Sequence, residues 1–267
     1  ISGLNQVETA VECLRLGAFD FYVKTTESAR LLEGIKRAIQ LQEIKRENQE
    51  LRHRVLSRRL DSPEAFANIL TQSRSMASVF QYLESVAKSS QPVMICGESG
   101  TGKELIAERL HFLSQRWQQP FLKINCGAIS ESLLDADLFG YEPGAFTGAT
   151  RLHKGRFERA HEGTLFLDEV GNMSQALQEK LLRLIEYGEF ERLGGQQTLT
   201  VDVRIIAATN EHLPGLAAEG RFRADLLDRL AFDVLTLPPL RHRHDDITLL
   251  ANQFGIQMSS ELGWEVF

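Results

Sequence analysis

The chain has 267 residues, 43% of them apolar and 25% charged, which at about 150 residues per domain suits one to two domains with cores that need no disulfides. Its net charge of −6 is uneven: residues 1–62 carry 11 Lys/Arg against 9 Asp/Glu, residues 63–267 carry 19 against 27, and an acidic main body argues against a sequence-reading nucleic-acid domain. No run reaches the roughly 18 apolar residues of a membrane span and no charged-then-apolar leader opens the chain, so the expected setting is cytoplasmic, with no membrane partner.

Residues 1–40 read as helix, strand, helix. Val7, Val11, Leu14 and Leu16 lie near helical spacing, Gly17 is a stop, and the aromatic-rich run 19–23 is a strand. Residues 41–62 continue as a helical linker. Leu41, Ile44, Asn48, Leu51 and Val55 alternate spacings of 3 and 4, the seam of a coiled coil with Asn48 at an a position. A parallel dimer through this linker and a single amphipathic helix on its own domain both fit. Asp61-Ser62-Pro63 ends the helix.

From residue 64 short apolar runs alternate with helical stretches. The strand candidates are 93–96, 121–124, 164–167, 203–208 and 234–237; helices are expected over 104–113 and 175–187, and another near Asp245. This pattern predicts an α/β fold with a five-stranded parallel sheet covered by helices on both faces. Cys96 and Cys126 fall at strand ends as small hydrophobes. With Cys13 they are too scattered for a disulfide framework or a zinc site, as a reducing compartment would have it.

The first of these strands runs into Gly97-Glu98-Ser99-Gly100-Thr101-Gly102-Lys103-Glu104 and then a helix. This is the G-x-x-x-x-G-K phosphate loop in its strand–loop–helix context. Backbone N–H groups and a helix N-terminus would face the phosphates, and Lys103 would reach the β- and γ-phosphates of ATP. Glu104 stands where a magnesium-ligating hydroxyl is usual, so Mg2+ needs other ligands. The run 163–169 delivers Asp168 and Glu169 at a strand's carboxyl end. Asp168 suits Mg2+ and Glu169 suits polarising the attacking water. Thr209 and Asn210 end a third strand, where they can sense the γ-phosphate or form an ordinary strand-end turn. The run Arg241-His242-Arg243-His244-Asp245-Asp246 has no metal-ligand spacing and reads as the start of a helix.

GESGTGKE at 97–104, GAFTGA at 144–149, GTLFLDE at 163–169, RIIAATN at 204–210 and FRADLLDRL at 222–230 together resemble the bacterial enhancer-binding proteins. These are AAA+ P-loop ATPase activators of sigma-54 RNA polymerase, of the nitrogen-regulatory type. The resemblance covers about residues 64–267 and implies a Mg-dependent ATPase that works as a hexameric or heptameric ring and remodels the closed promoter complex. It implies that Gly144, Ala145, Phe146, Thr147, Gly148 and Ala149 contact sigma-54, with Phe146 and Thr147 at the tip. Without it, Phe146 reads rather as a core anchor in a glycine-rich turn.

The same resemblance makes Arg223 and Arg229 arginine fingers that reach a neighbour's ATP. The residues alone also allow an Asp225–Arg229 bridge at i, i+4. Asn125 becomes a switch holding Glu169 unproductive, and Ile69 and Leu70 pack on adenine although Thr71 replaces the usual Gly. Tyr141 stands where His is common.

Residues 1–40 resemble the last third of a receiver domain, with Lys24 at its final strand but Thr25 in place of the usual Pro. The domain expectation is therefore receiver tail 1–40, linker 41–62, ATPase 63–240 and the start of a helical lid 241–267. DNA binding is expected from a domain outside these residues. A competing expectation is a dimeric signalling module that binds nucleotide without turning it over.

Overall fold

The computed structural model describes residues 60–264. The receiver-like stretch 1–40 and the coiled-coil seam of the linker lie outside the described residues. In chain order the elements are α1 (Arg74–Ala87), β1 (Val93–Cys96), α2 (Lys103–Phe112), β2 (Phe121–Asn125), α3 (Glu131–Phe139), β3 (Gly140–Tyr141), β4 (His153–Lys154), α4 (Arg156–Arg159) and β5 (Thr164–Asp168). There follow α5 (Gln175–Tyr187), β6 (Glu189–Glu191), β7 (Thr198–Thr200), β8 (Arg204–Thr209), α6 (Leu213–Ala218), α7 (Ala224–Leu230), β9 (Asp233–Thr236) and α8 (His244–Leu262).

Five strands pair in parallel in the order β2-β5-β8-β1-β9. The central strands β1, β5 and β8 are mostly apolar because both faces are covered, while the edge strands β2 and β9 carry polar and partly exposed residues. Val93, Ile95, Phe166, Ile206 and Ala208 pack in one core with Met76, Phe80 and Leu83 of α1 and Ile106 and Leu110 of α2. Met94, Leu165, Leu167, Ile205 and Ala207 face the other way, onto Leu177, Leu181 and Leu184 of α5 and Leu226 and Leu230 of α7. Alternate residues therefore belong to opposite cores, as the period of two requires.

Helix α5 matches its sequence-expected bounds. Ser174 Oγ accepts the Leu177 N–H at 3.4 Å, and Gly188 at φ 70° ends the helix. Other bounds shift by one residue. Thr209 enters β8 because it pairs with Cys96, and Asn125 and Asp168 enter β2 and β5 because they pair with each other. Strand β9 starts and ends one residue early, its Asp233 paired with Val93. Ladder partners on neighbouring strands, not local propensity, set these ends.

Candidate active site

The phosphate loop is tied down on both sides. Gly97 N–H donates to Thr209 O at 3.1 Å, and Leu237 N–H donates to Cys96 O at 2.8 Å. A Cβ on Gly97 would lie 2.8 Å from Thr101 Oγ1 and 3.1 Å from Leu237 Cβ, so only glycine lets the strand pass there. Gly102, at φ 94°, is the N-cap of α2 and brings that helix's N-terminus to the loop. Lys103 is buried, and its Nζ donates to Gly97 O at 3.0 Å and Glu98 O at 3.2 Å. Thr101 Oγ1 also donates to Glu98 O, at 2.8 Å. Glu98 receives both arms of Arg241 at 2.6 and 2.7 Å, which holds its carboxyl below the usual range. Ser99 and Gly100 are exposed. Glu104 pairs with Lys123 at 2.9 Å, so its carboxylate is already engaged.

Asp168 ends β5, two strands from β1 with β8 between them. One of its oxygens accepts the Glu169 N–H at 2.9 Å. Burial raises its proton affinity, with Glu169 and Glu104 adding to the rise and the Glu169 N–H and Lys103 opposing it. A partly desolvated carboxylate among other carboxylates suits a cation. Among the described residues no group of three or more His, Cys, Asp or Glu is arranged to hold a metal. A Mg2+ ion at Asp168 would therefore complete its shell with phosphate oxygens and water, which is its usual habit.

Glu169 has φ 55° and ψ 45°, one of two non-glycine residues at positive φ among the described residues. Such a backbone costs about 1–3 kcal/mol and persists where the surroundings enforce it. Its carboxylate accepts from Asn172 Nδ2 at 3.3 Å, whereas Asn125 Oδ1 accepts the Gly127 N–H at 2.8 Å. The side chain on Glu169 in this state is thus Asn172, a residue the sequence reading passed over. Its signal was its place three residues on, at the end of the 3-10 turn Val170–Asn172. Cys126, next to this cluster, is buried, and burial with the nearby Asp168 and Glu169 pushes its thiol to about 12, so it stays neutral.

Thr209 is 1% exposed, and its Oγ1 accepts the Glu211 N–H at 2.9 Å, while Asn210 is exposed. The turn-forming reading of this pair is therefore realised. Ile69 is half-buried and Leu70 exposed, in the segment leading into α1. The i, i+4 bridge between Asp225 and Arg229 does not form. Asp225 instead takes Arg223 at 2.7 and 3.0 Å, and Arg229 reaches Glu186 on α5 at 2.8 Å. Arg223, the extended N-cap of α7, folds onto the first turn to reach Asp225, and α5 packing alongside α7 offers Glu186 to Arg229.

The GAFTGA segment rises from a hairpin base. β3 pairs antiparallel with β4, and Tyr141 stacks on His153 with ring centroids 5.1 Å apart. Arg192, 11% exposed, bonds Glu142 at 2.6 Å and Glu158 at 2.8 Å across this base. A Cβ on Gly140 would collide with His153 O and Gly155 N, so the base closes only around glycine. At the tip, Phe146 is 48% exposed, resting edge-on against Tyr141 at 4.9 Å, and Thr147 is exposed. Gly144 and Gly148 hold φ 85° and 102° with open space around them. Two residues depart from an exposed tip: Ala149 is 6% exposed and Ala145 is half-buried.

Comparison with known proteins matches the sigma-54 interaction domain family over residues 69–236. The chain belongs to this family. It is 52% identical over 256 residues to the regulatory protein AtoC of Escherichia coli, covering 96% of this chain and 54% of that protein. It is 58% identical over 200 residues to the Psp operon transcriptional activator of Escherichia coli, covering 75% of this chain and 62% of that one. The crystal structure of NtrX from Brucella abortus in complex with ADP is 37% identical and has a TM-score of 0.68, covering 97% of this chain and 56% of that one. NtrX was also solved with ATP. The chain thus spans about half the length of the relatives it matches, somewhat more of the Psp activator.

Family membership and the β2-β5-β8-β1-β9 order together identify the fold as that of an AAA+ P-loop NTPase. As a sigma-54 interaction domain, the chain brings Lys103, Asp168 and Glu169 to the carboxyl edge of one sheet, where open α/β sheets bind ligands. Arg223 is the N-cap of α7 and Arg229 lies in its last turn, while Phe146 stands in the loop between β3 and β4. Among the described residues no helix is long and apolar enough to cross a membrane.

Proposed function

We propose that the chain is the ATP-hydrolysing motor of a sigma-54-dependent transcriptional activator. The observation that carries this reading is the convergence of Lys103, Asp168 and Glu169 at one sheet edge. The relative NtrX, solved with ADP and with ATP, supports it.

In this reading the backbone of Gly97–Lys103 and the α2 N-terminus take the β- and γ-phosphates, and Lys103 exchanges its two loop carbonyls for phosphate oxygens. Glu104 closes the loop through Lys123, and Ile69 and Leu70 line the base. Glu169, held in a left-handed backbone, polarises the attacking water, while Thr209 and Asn210 report on the γ-phosphate. Asn125 becomes the switch only if it replaces Asn172 on Glu169. A Mg2+ ion held at Asp168 would neutralise developing phosphate charge.

Arg223 and Arg229 act on a neighbouring subunit's ATP, so their bonds to Asp225 and Glu186 are the parked state. Residues 144–149 engage sigma-54 in the polymerase holoenzyme, with Phe146 and Thr147 leading. The active form is a hexameric or heptameric ring that remodels the closed promoter complex. Residues 63–240 form the ATPase and 241–267 begin its lid. Residues 1–40 tie the motor to a receiver domain, 41–62 link dimers, and DNA is bound elsewhere in the longer protein.

The test is the concentration dependence of ATP hydrolysis. Specific activity should rise as subunits associate, and R229A should lower it by about 10³-fold, as loss of an arginine finger does. Full activity at nanomolar protein, untouched by R229A, would overturn the shared site.

A further inference from the structure

The residues that open α8 touch the nucleotide region at two separate places. At the phosphate loop, Arg241 holds Glu98 through an exposed charge pair. At the other place, Asp246 in the first turn of α8 is 0% exposed. One of its carboxylate oxygens accepts the Thr71 hydroxyl at 2.7 Å and the other accepts the Gln72 N–H at 2.7 Å. The Thr71 oxygen in turn accepts the Ser73 N–H at 3.1 Å, and Ser73 is the N-cap of α1. Arg243 stands 3.8 Å away and is itself buried.

An ionised group is costly to bury, and this one is compensated by a hydroxyl, a backbone amide and a guanidinium. Three successive residues of one segment are thereby fixed by a carboxylate some 175 residues further along the chain. That segment follows directly on Ile69 and Leu70. A glycine at position 71 would lack the hydroxyl that joins Asp246 to Ser73.

We infer that Asp246 is a positioning residue for base recognition, acting through Thr71 to hold the Ile69–Gln72 backbone as a preformed apolar wall. This rests on the reading of Ile69 and Leu70 as the base-side contacts. The exposed Glu98–Arg241 pair is screened by solvent and exchanges readily, whereas the buried Asp246 tether persists. The base wall and the start of α8 therefore move as one body, and base binding and α8 orientation are coupled.

The experiment uses the 267-residue chain, fluorescently labelled ADP as probe, and unlabelled ATP and GTP as competitors. D246N should weaken ATP by about tenfold, the scale of one lost charge-assisted hydrogen bond. GTP should change less, because only the fit to adenine is relaxed. T71V should move ATP in the same direction by a smaller factor, and T71S, which keeps the hydroxyl, should match the unsubstituted chain. T71V keeps the buried carboxylate and its Gln72 partner, so it carries the test if D246N fails to fold. Equal weakening of ATP and GTP, or T71V binding ATP like the unsubstituted chain, would overturn the inference. An unsubstituted chain that binds no labelled ADP would overturn the nucleotide reading itself, a separate outcome.

Discussion

The phosphate loop and the GAFTGA loop both hold glycines at positive φ with room around them, Gly100 and Gly102 in one and Gly144 and Gly148 in the other, but only the phosphate loop itself also uses a glycine to make room. In the phosphate loop Gly97 makes room: Thr101 and Leu237 occupy the space a side chain would need. Strand-end hydrogen bonds hold it on either side, and Lys103 is folded into its carbonyls. Around the GAFTGA loop the close packing lies at the base, at Gly140 and Gly155, and where Gly194 meets Ala145. Gly144 and Gly148 at the tip meet nothing; they are there for backbone conformation alone. A pocket that must match a triphosphate gains from anchored strand ends, because preorganised groups stabilise a transition state without reorganising. The GAFTGA tip is one exposed aromatic between two permissive residues.

The largest expected effect is at the first loop's catalytic neighbour. E169Q should cut ATP hydrolysis by about 10²–10⁴-fold, the usual share of a positioned base, while labelled ADP still binds. Hydrolysis within a few fold of the unsubstituted chain would mean another group polarises the water. The complementary change at the other loop is F146A. Hydrolysis should stay within about twofold, while capture of sigma-54 in the presence of a γ-phosphate analogue falls by more than about tenfold, as for an aromatic hot spot. If F146A instead lowers the unfolding midpoint by several degrees with sigma-54 capture intact, Phe146 is an anchor and not a tip.

The smallest effect concerns the electrostatics of the pocket. Burial raises the Asp168 proton affinity above its unfolded value. Its ionised form therefore costs the fold stability, and that cost disappears as pH falls through the folded carboxyl's range. D168N should raise the unfolding midpoint by about 1–3 °C at pH 8 in the nucleotide-free chain, the gain shrinking towards zero in acid. A gain that grows as pH falls would reverse the sign assigned to Asp168.

Much of this pocket was legible in the residues. The five apolar runs became the five parallel strands, with ends displaced by a residue at most, and α5 has the length its periodicity implied. The places of Lys103 at the start of α2 and of Asp168 at the end of β5 were legible from the strand–loop–helix pattern and the apolar run before Asp168. Partner choice was not. Arg229 could be assigned Asp225 from helical spacing, yet Glu186 takes it, because the packing of α5 against α7 presents a carboxylate 43 residues away. Asn125 had the right strand end for Glu169, but Asn172 occupies that position through a short turn.

The chain's own sequence determines what is local: where apolar runs alternate with helical faces, which glycines open a loop, and which side chains can meet a phosphate. Those choices depend on residues a few positions apart, so they are written in short windows. The order β2-β5-β8-β1-β9 decides the rest. It sets β8 between the phosphate loop and Asp168, and the packing around the sheet brings Asp246 to Thr71 and Gln72. Hydrogen bonds and ion pairs form with whatever group the packed backbone brings within reach, and only the tertiary structure selects that group.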